Sequence, residues 1–393
     1  MIGALFKILI FLVRRKIFLS ILLVNIFFLR TSFAQSSKPV VDIVFCIDLS
    51  ASTNGILDRF RDHYWDYIHF FSQCKPATDF RIGFVAFSRP SYKRENNYVK
   101  VIRDLTNDYE SLSHDLLQIK STIEKGDQFV GAALNVCLKN ISWSKNSTAL
   151  KIIFLVGNGM PNTGEINYEK AATELSAKGI IINTMYCIQK AADIEKRGWQ
   201  KIAEIGNGKF FPIQIKAVSY ESLHGFDLDK FHSLNRKFNN TYLYYGKSGF
   251  TKWRLQCQED DYMYTFNTDG YCWRTHYKLS DQYQGKNSDW DLVDQHCKNS
   301  TLFYQADKLT MPDTLKNMSE EDIRVFIIFN KYQRKLLAKK LTQMMEEKEI
   351  QDKGKVTQKK INTLDIISIN ILKELLSHKG FTCIEKISDS QKN

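Results

Sequence analysis

The 393-residue sequence lacks the short motifs of several enzyme classes. It contains no His-Glu-x-x-His, no Gly-x-Ser-x-Gly and no Gly-x-Gly-x-x-Gly, and its 8 histidines are scattered without metal-ligand spacing. Gly246-Lys-Ser248 resembles the end of a phosphate-binding loop, but the upstream glycine and the preceding buried strand are missing. The sequence therefore offers no motif for a zinc protease, a serine hydrolase or a nucleotide-binding enzyme.

A Cys-x-x-Cys pair, which would indicate a zinc site, is also missing from the 8 cysteines. All of them follow residue 34, and their even number permits disulfides in an exported protein. Their spacing is wide and irregular, so the sequence assigns no pairs. Cys46 and Cys187 fall in predicted strands and are expected to be buried thiols.

Acidic residues are missing from residues 1–34, which contain two apolar runs separated by Arg14-Arg15-Lys16. The second run precedes Ser32-Phe33-Ala34 and predicts a signal peptide cleaved before Gln35. An uncleaved membrane anchor is the alternative, although neither run alone has the length of a spanning helix. We expect an exported protein that is periplasmic or secreted, or anchored through residues 1–34.

The net charge of +12 includes five positive residues from this segment, so the rest of the chain carries +7. The remaining chain has no arginine-aromatic stripe of the kind that binds nucleic acid. We therefore expect no nucleic-acid partner, and a membrane contact only if residues 1–34 are retained.

Apolar runs and helical patterns alternate between residues 41 and 215. The predicted strands begin at Ile43 and continue at 80–87, 98–102, 151–156, 180–186 and 208–213, and the predicted helices lie at 57–74, 109–123, 130–138, 167–178 and 199–205. This alternation predicts an α/β fold: a doubly wound, mainly parallel sheet with helices on both faces, followed by a helix-rich C-terminal region. The second and third strands are predicted to form an antiparallel hairpin.

Polar residues follow the first predicted strand in the pattern Asp48-x-Ser50-x-Ser52. In open α/β sheets, ligands bind beyond the carboxyl ends of the strands. Carboxylate and hydroxyl oxygens at that edge are ligands for an ion such as Mg²⁺. Asp and Ser are also common turn and cap residues, so the short pattern has a purely structural alternative.

The combination of motifs resembles a von Willebrand factor type A (vWA) domain over residues 41–215. The motifs are the Asp48 pattern, the Arg-Ile-Gly-Phe-Val of the second strand, Gly126-Asp127 before Gly131-Ala-Ala-Leu134, and Leu155-Val-Gly-Asn158-Gly159 after the fourth strand. Ile181-Ile-Asn-Thr-Met-Tyr-Cys187 and Gly198-Trp199 further resemble an exported bacterial branch of this family.

In the vWA family three loops build a metal-ion-dependent adhesion site, and the resemblance assigns it to Asp48, Ser50, Ser52, Asp127 and Asn158. The second loop usually supplies a threonine, where this chain offers Asp127 or Gln128, and Asn158 replaces the usual aspartate. An amide oxygen can coordinate but brings no charge. We expect Mg²⁺, or Mn²⁺ or Ca²⁺, to bind with weakened or altered affinity, and an empty site is the alternative.

Residues 216–317 form a predicted Tyr/Trp-rich extension, in which Asp291 and Asp294 follow Trp290. A solvated helix face is the favoured interpretation of these acids, and a glycosidase carboxylate pair is the alternative. Residues 318–393 predict a helical C-terminal region, beginning with Ser319 as a helix cap. Its helices are expected to pack as a hairpin on the sheet domain or to dock a partner.

These patterns lead to three hypotheses. The first hypothesis is an envelope adhesion-type protein. As the resemblance implies, its vWA domain binds a metal ion, and an acidic residue of a protein partner completes the coordination of that ion. The second is a metal-independent scaffold for envelope complex assembly, which Asn158 favours. The third, an enzyme with activity after residue 216, has the least support because no catalytic motif is present.

Overall fold

The computed structural model of the chain describes residues 39–120, 122–188, 193–215, 226–300, 306–352 and 362–383. The predicted signal peptide lies outside these described residues.

A six-stranded sheet forms the centre of the first half of the chain, with the strand order β4-β3-β1-β5-β6-β7. Its strands are β1 (Val40–Asp48), β3 (Asp79–Phe87), β4 (Val99–Thr106), β5 (Leu150–Gly157), β6 (Ile180–Cys187) and β7 (Phe210–Ile213). The β3–β4 pair is antiparallel, and the other pairs are parallel. The predicted α/β fold class and the antiparallel hairpin are confirmed.

Both faces of this sheet are covered, which explains why its strands are almost continuously apolar. In β1, Val41, Ile43, Phe45 and Ile47 point into one core cluster, while Val44 and Cys46 point into the other. The first cluster contains residues of α1 (Ile56–Asp62), α2 (Tyr64–Ser72) and α3 (Tyr109–Gln118). The second contains residues of α4 (Val130–Lys139), α5 (Tyr168–Ala177) and α6 (Asp193–Ile205).

The first helical pattern was predicted as one helix, but the chain forms two, α1 and α2. His63 lies between them with a ψ of 9°, and its Nδ1 lies 2.5 Å from Oδ2 of Asp66. Arg59 on α1 pairs with Asp365 near the C-terminus at 2.8 Å. The apolar spacing continues across the break because both helices bury the same face, so the pattern alone could not locate it.

The second half of the chain is mainly helical. Its helices are α7 (Leu228–Asn239), α8 (Gly249–Phe266), α9 (Thr268–Leu279), α10 (Leu292–Lys298), α11 (Asp313–Lys316), α12 (Glu320–Asp352) and α13 (Leu364–His378). Helix α12 packs on α7, α9 and α10, whereas α13 packs on α1 and α2 of the sheet domain. At the start of α12, the Ser319 hydroxyl accepts a hydrogen bond from the Asp322 N–H at 3.1 Å, as its predicted cap role requires.

One hydrophobic cluster runs through both halves of the chain. It contains Phe84 of the sheet together with Phe231, Leu341 and Leu376 of the C-terminal helices. Polar contacts cross the same boundary: Trp65 Nε1 donates to Oε1 of Glu259 at 3.1 Å. The described residues from Val40 onward therefore form one compact unit.

Asp291 and Asp294 are buried, so the expectation that they form a solvated helix face is wrong. Nη1 of Arg334 donates to Asp291 Oδ2 and to Asp294 Oδ1, each at 2.9 Å. The Arg334 guanidinium lies 3.8 Å from the ring centroid of Tyr242. Asp291 also caps α10 by accepting from the N–H groups of Val293 and Asp294. These acids hold the C-terminal helices together.

A disulfide joins Cys74 to Cys383, 309 positions apart. The same residues belong to a short antiparallel pair of strands, β2 (Cys74–Lys75) and β8 (Thr382–Cys383). Cys46 and Cys187 are free and buried, as the sequence predicts.

Candidate functional site

The candidate site lies at the carboxyl end of β1, in the middle of the sheet. Asp48 is the last residue of β1, which pairs with β3 on one side and β5 on the other. The five residues that the sequence analysis predicted lie at the end of β1, in the segments that follow β1 and β5, and in the segment before α4.

The first loop folds around the Asp48 carboxyl and carbonyl groups. The Ser50 N–H donates to Asp48 Oδ1 at 2.8 Å, and the Thr53 hydroxyl donates to the Asp48 carbonyl at 2.7 Å. Such local bonds from Asp, Ser and Thr side chains replace the strand ladder and favour a tight turn. Residues Ala51–Thr53 accordingly form one short 3₁₀ turn.

A row of oxygen atoms connects the first loop to the third. Ser50 Oγ lies 2.9 Å from Ser52 Oγ, and the Ser52 hydroxyl donates to Asn158 Oδ1 at 2.8 Å. The Asn158 amide nitrogen lies 3.4 Å from the Ser52 carbonyl oxygen. The structure thus brings Ser50, Ser52 and Asn158 together beside Asp48.

The carboxyl group of Asp48 is fully buried, and its Oδ2 has no hydrogen-bond partner among the described residues. Burial raises the pKa of Asp48 to about 7, while interactions with Ser50, with the Ser88 side chain and with the Asn158 backbone oppose the rise. Burying a charged oxygen without a partner is unfavourable. A bound cation would balance the negative charge of this oxygen atom.

Asp127 is exposed on the second loop, and no hydrogen bond to the other four predicted residues is present in the described part of the chain. Gln128 follows it, and a Cβ atom added to Gly159 would lie 2.4 Å from Oε1 of Gln128. Gln128, on the second loop where the resemblance implies a threonine, therefore covers the third loop. The second loop also contacts the first, because the Ala51 N–H donates to the Glu124 carbonyl at 2.7 Å.

Ser88 is a site residue that the sequence analysis missed. It directly follows β3, is fully buried and has a φ of 68°, a region that non-glycine residues rarely adopt. Its hydroxyl has no hydrogen-bond partner among the described residues, although Ser88 faces the Asp48 carboxyl and lowers its pKa. A polar residue immediately after the strand that neighbours β1 was the available signal.

Close backbone approaches position the loops. A Cβ atom at Gly126 would lie 2.5 Å from the Ser88 carbonyl oxygen, and one at Gly157 would lie 2.7 Å from Cβ of Asp48. Trp199 on α6 donates from Nε1 to the Gly159 carbonyl at 2.9 Å, which fixes the third loop.

These donors fit a hard divalent cation. Asp48, Ser50, Ser52 and Asn158 offer a carboxylate, two hydroxyls and an amide oxygen, the ligand types that Mg²⁺ and Ca²⁺ prefer. Asp48 is the one carboxylate among these four, so the set carries less charge than one with an aspartate at position 158.

Residues 42–223 match the family model of the von Willebrand factor type A domain. With the sheet topology and the Asp48 loop described above, this match identifies that part of the chain as a vWA domain. No curated protein sequence matches the chain.

Similar solved structures each match less than half of the chain. An aerotolerance-related membrane protein from Bacteroides fragilis is 18% identical, with 44% of this chain and 91% of that chain covered and a TM-score of 0.30. Proximal thread matrix protein 1 from the mussel byssus, with a zinc-occupied metal-ion-dependent adhesion site, is 16% identical over 44% of this chain and 42% of that one, with a TM-score of 0.31. The pilus adhesin SpaC of Lactobacillus rhamnosus GG is 14% identical over 46% and 28%, with a TM-score of 0.34.

This chain therefore covers less than half the length of the mussel protein and of the pilus adhesin. Among the described residues, no helix combines the length and apolar character needed to cross a membrane.

Proposed function

We propose that the chain is an exported binding protein whose vWA domain holds a divalent cation and thereby recognises an acidic group of a protein partner. The observation that supports this most strongly is the buried Oδ2 of Asp48, which lacks a hydrogen-bond partner in the described part of the chain. It lies beside three further oxygen-bearing side chains, and a cation is the ligand that such a group favours.

The side chains have distinct roles in this proposal. Asp48 supplies the negative charge, Ser50 and Ser52 supply hydroxyl oxygens, and Asn158 supplies a neutral oxygen. The bound ion supplies positive charge that attracts a carboxylate from the partner. Because Asp127 is exposed on the neighbouring loop, we propose that it contributes at most to the rim of the site.

The disulfide supports the proposed export. Disulfides persist in oxidising compartments and are rare in the cytosol. The disulfide Cys74–Cys383 links the sheet domain to the last described residues of the chain, so we propose that it is a structural bond. We propose residues 1–34 as the export signal, with retention as a membrane anchor as the alternative.

A metal-independent scaffold is the second candidate. The bond from Ser52 to Asn158 joins the first and third loops without an ion. Asn158 also lacks the charge that would strengthen cation binding. In this candidate the same loops hold a partner by hydrogen bonds alone.

We propose no enzymatic activity. The sequence contains no catalytic motif, and among the described residues no histidine is hydrogen-bonded to Ser50 or Ser88. Activated serine nucleophiles need a base within hydrogen-bond reach.

Thermal unfolding of the full chain, titrated with Mg²⁺, Mn²⁺ and Ca²⁺, tests the proposal. A ligand that binds the folded state must raise the unfolding midpoint as its concentration rises. We expect this rise in the wild-type chain and its loss in Asp48→Ala. An unchanged wild-type midpoint at millimolar ion would favour the metal-independent scaffold.

A further inference from the structure

Helix α12 has two apolar faces, of which one is exposed. The helix contains 33 residues and is therefore about 50 Å long. Its inner face buries Ile323, Ile327, Leu341 and Met345 against the other C-terminal helices. The burial of this face explains how α12 is held on the protein. It does not explain why the opposite face is also apolar.

The outward face carries a stripe of large apolar side chains, which we call the α12 stripe. Its members are 39–60% exposed and comprise Val325 (57%), Ile328 (46%), Phe329 (53%), Tyr332 (60%) and Leu336 (39%). Spacings of three and four residues place all five on one side of the helix. Contiguous apolar surface of this kind is uncommon on a monomer and indicates an interaction site.

The α12 stripe is symmetric along the helix axis. Four of its five members, Val325, Ile328, Phe329 and Tyr332, lie evenly about the midpoint between Ile328 and Phe329. In an antiparallel pair of helices related by a two-fold axis at this midpoint, Val325 lies opposite Tyr332 of the second copy. Ile328 then lies opposite Phe329 of the second copy. A two-fold contact requires a surface that is complementary to itself, and this spacing provides one.

The charges beside the stripe distinguish the antiparallel from the parallel arrangement. Glu321 and Lys335 are 14 positions apart, which puts them on the same flank of the stripe. An antiparallel pair brings Glu321 next to Lys335 of the second copy, at both ends of the contact. A parallel pair keeps Glu321 and Lys335 of the two copies about 21 Å apart along the helix axis, so this contact is absent.

Glu321 already has a partner within its own helix, since Arg324 Nη2 lies 2.5 Å from its Oε1. That pair is exposed, and each carboxylate oxygen can accept more than one hydrogen bond. Lys335 forms no ion pair within the described part of the chain and is exposed. The added contact therefore requires no existing pair to break.

We propose that a second copy of this chain covers the α12 stripe, giving an antiparallel, two-fold homodimer. This inference is independent of the ion site, because α12 belongs to the C-terminal helices and packs on α7, α9 and α10. The Asp48→Ala variant is accordingly expected to dimerise like the wild-type chain.

Co-expression of two full-length chains with different affinity tags, followed by capture of one tag, tests the dimer. We expect the second tag to be recovered with the wild-type chain. Phe329→Asp places a carboxylate in the centre of the contact and should reduce recovery about tenfold or more. The wild-type chain and Phe329→Asp should unfold at similar temperatures, since Phe329 is exposed in the single chain.

Charge exchange tests the antiparallel register. Glu321→Lys and Lys335→Glu should each reduce recovery, and the double exchange should restore it, because the pair is re-formed with opposite polarity. Glu347→Lys makes the same charge change on an exposed part of α12 beyond the overlap, and should leave recovery unchanged.

If the second tag is not recovered with the wild-type chain, the proposal is overturned. The α12 stripe would then bind a different protein or a membrane surface. Unchanged recovery with Phe329→Asp would also overturn it, because the copies would then associate through another surface. Failure of the double exchange to restore recovery would overturn the antiparallel arrangement.

Discussion

At the residue scale, Gly157 determines how closely β5 approaches the Asp48 carboxyl. A methyl group at this position would lie 2.7 Å from Asp48 Cβ and 3.0 Å from the Trp199 ring. We therefore predict that Gly157→Ala displaces Asp48, lowers the free energy of unfolding by about 1–3 kcal/mol, and weakens the ion-dependent rise in midpoint. Thermal unfolding with and without Mg²⁺ measures both effects.

Gly179→Ala is the matched control for this substitution. Gly179 has a φ of 70°, and an added Cβ there has no neighbour within 4 Å. The free energy of unfolding of Gly179→Ala should fall by about 1 kcal/mol because of backbone strain, and its ion-dependent rise in midpoint should equal that of the wild type. An unaltered ion response in Gly157→Ala would contradict the account of how the site is positioned.

Asn158 is the residue whose charge distinguishes the two candidate functions. Asn158→Asp keeps an oxygen that can accept from the Ser52 hydroxyl and adds a negative charge. We predict that the ion concentration needed for half of the midpoint rise falls on the order of tenfold, since ligand charge tunes the affinity for divalent cations. If the wild type and Asn158→Asp need the same ion concentration for half of the midpoint rise, position 158 does not contact the ion.

The positions of Asp48, Ser50, Ser52 and Asn158 could be predicted because they lie at or just beyond the carboxyl ends of β1 and β5, and the carboxyl ends of parallel strands meet at one edge of the sheet. The environment of these residues could not be predicted. Ser88 reaches the site through a left-handed backbone conformation, and Gln128 through its contact with Gly159. Both depend on loop packing, for which the sequence has no periodic signal.

At the scale of helices and strands, Arg334 connects α12 to α10. It bonds to Asp291 and Asp294 and is almost fully buried. Removing one partner of a buried ion pair leaves the charge of the remaining side chain uncompensated. We predict that Arg334→Met lowers the free energy of unfolding by about 3–5 kcal/mol, measured by urea denaturation.

Lys252→Met serves as the comparison for that prediction. Lys252 pairs with Asp289 at 2.6 Å, but both side chains are largely exposed. Exposed pairs contribute about 0–1 kcal/mol, so this variant should remain close to wild type. Similar losses in the two variants would contradict the structural role assigned to the buried pair.

The difference between buried and exposed side chains also explains which elements could be predicted from the sequence. The strands of the sheet are buried on both faces, so their apolar runs are unambiguous. Asp291 and Asp294 carry helical spacing in a polar stretch, and their burial depends on an arginine 40 or more positions later. The break at His63 likewise depends on side chains that pack from both ends of the chain.

At the scale of the whole molecule, the Cys74–Cys383 disulfide ties the C-terminal strand to the sheet domain. We predict that the double variant Cys74→Ser with Cys383→Ser loses about 2–5 kcal/mol of stability. A reductant should lower the wild-type midpoint to that of the variant and leave the variant unchanged. Cys297→Ser, which alters an exposed free cysteine, should behave like wild type. Equal midpoints of the wild type and the double variant without reductant would contradict this role.

Binding of a divalent cation by Asp48 and its neighbours can be measured directly. Electron paramagnetic resonance of free Mn²⁺, titrated with the full chain, counts the bound ions. We predict one Mn²⁺ bound per wild-type chain, displaced by Mg²⁺, and none in Asp48→Asn, which preserves the side-chain shape. Absence of binding at millimolar Mn²⁺, or equal binding by the variant, would contradict this prediction.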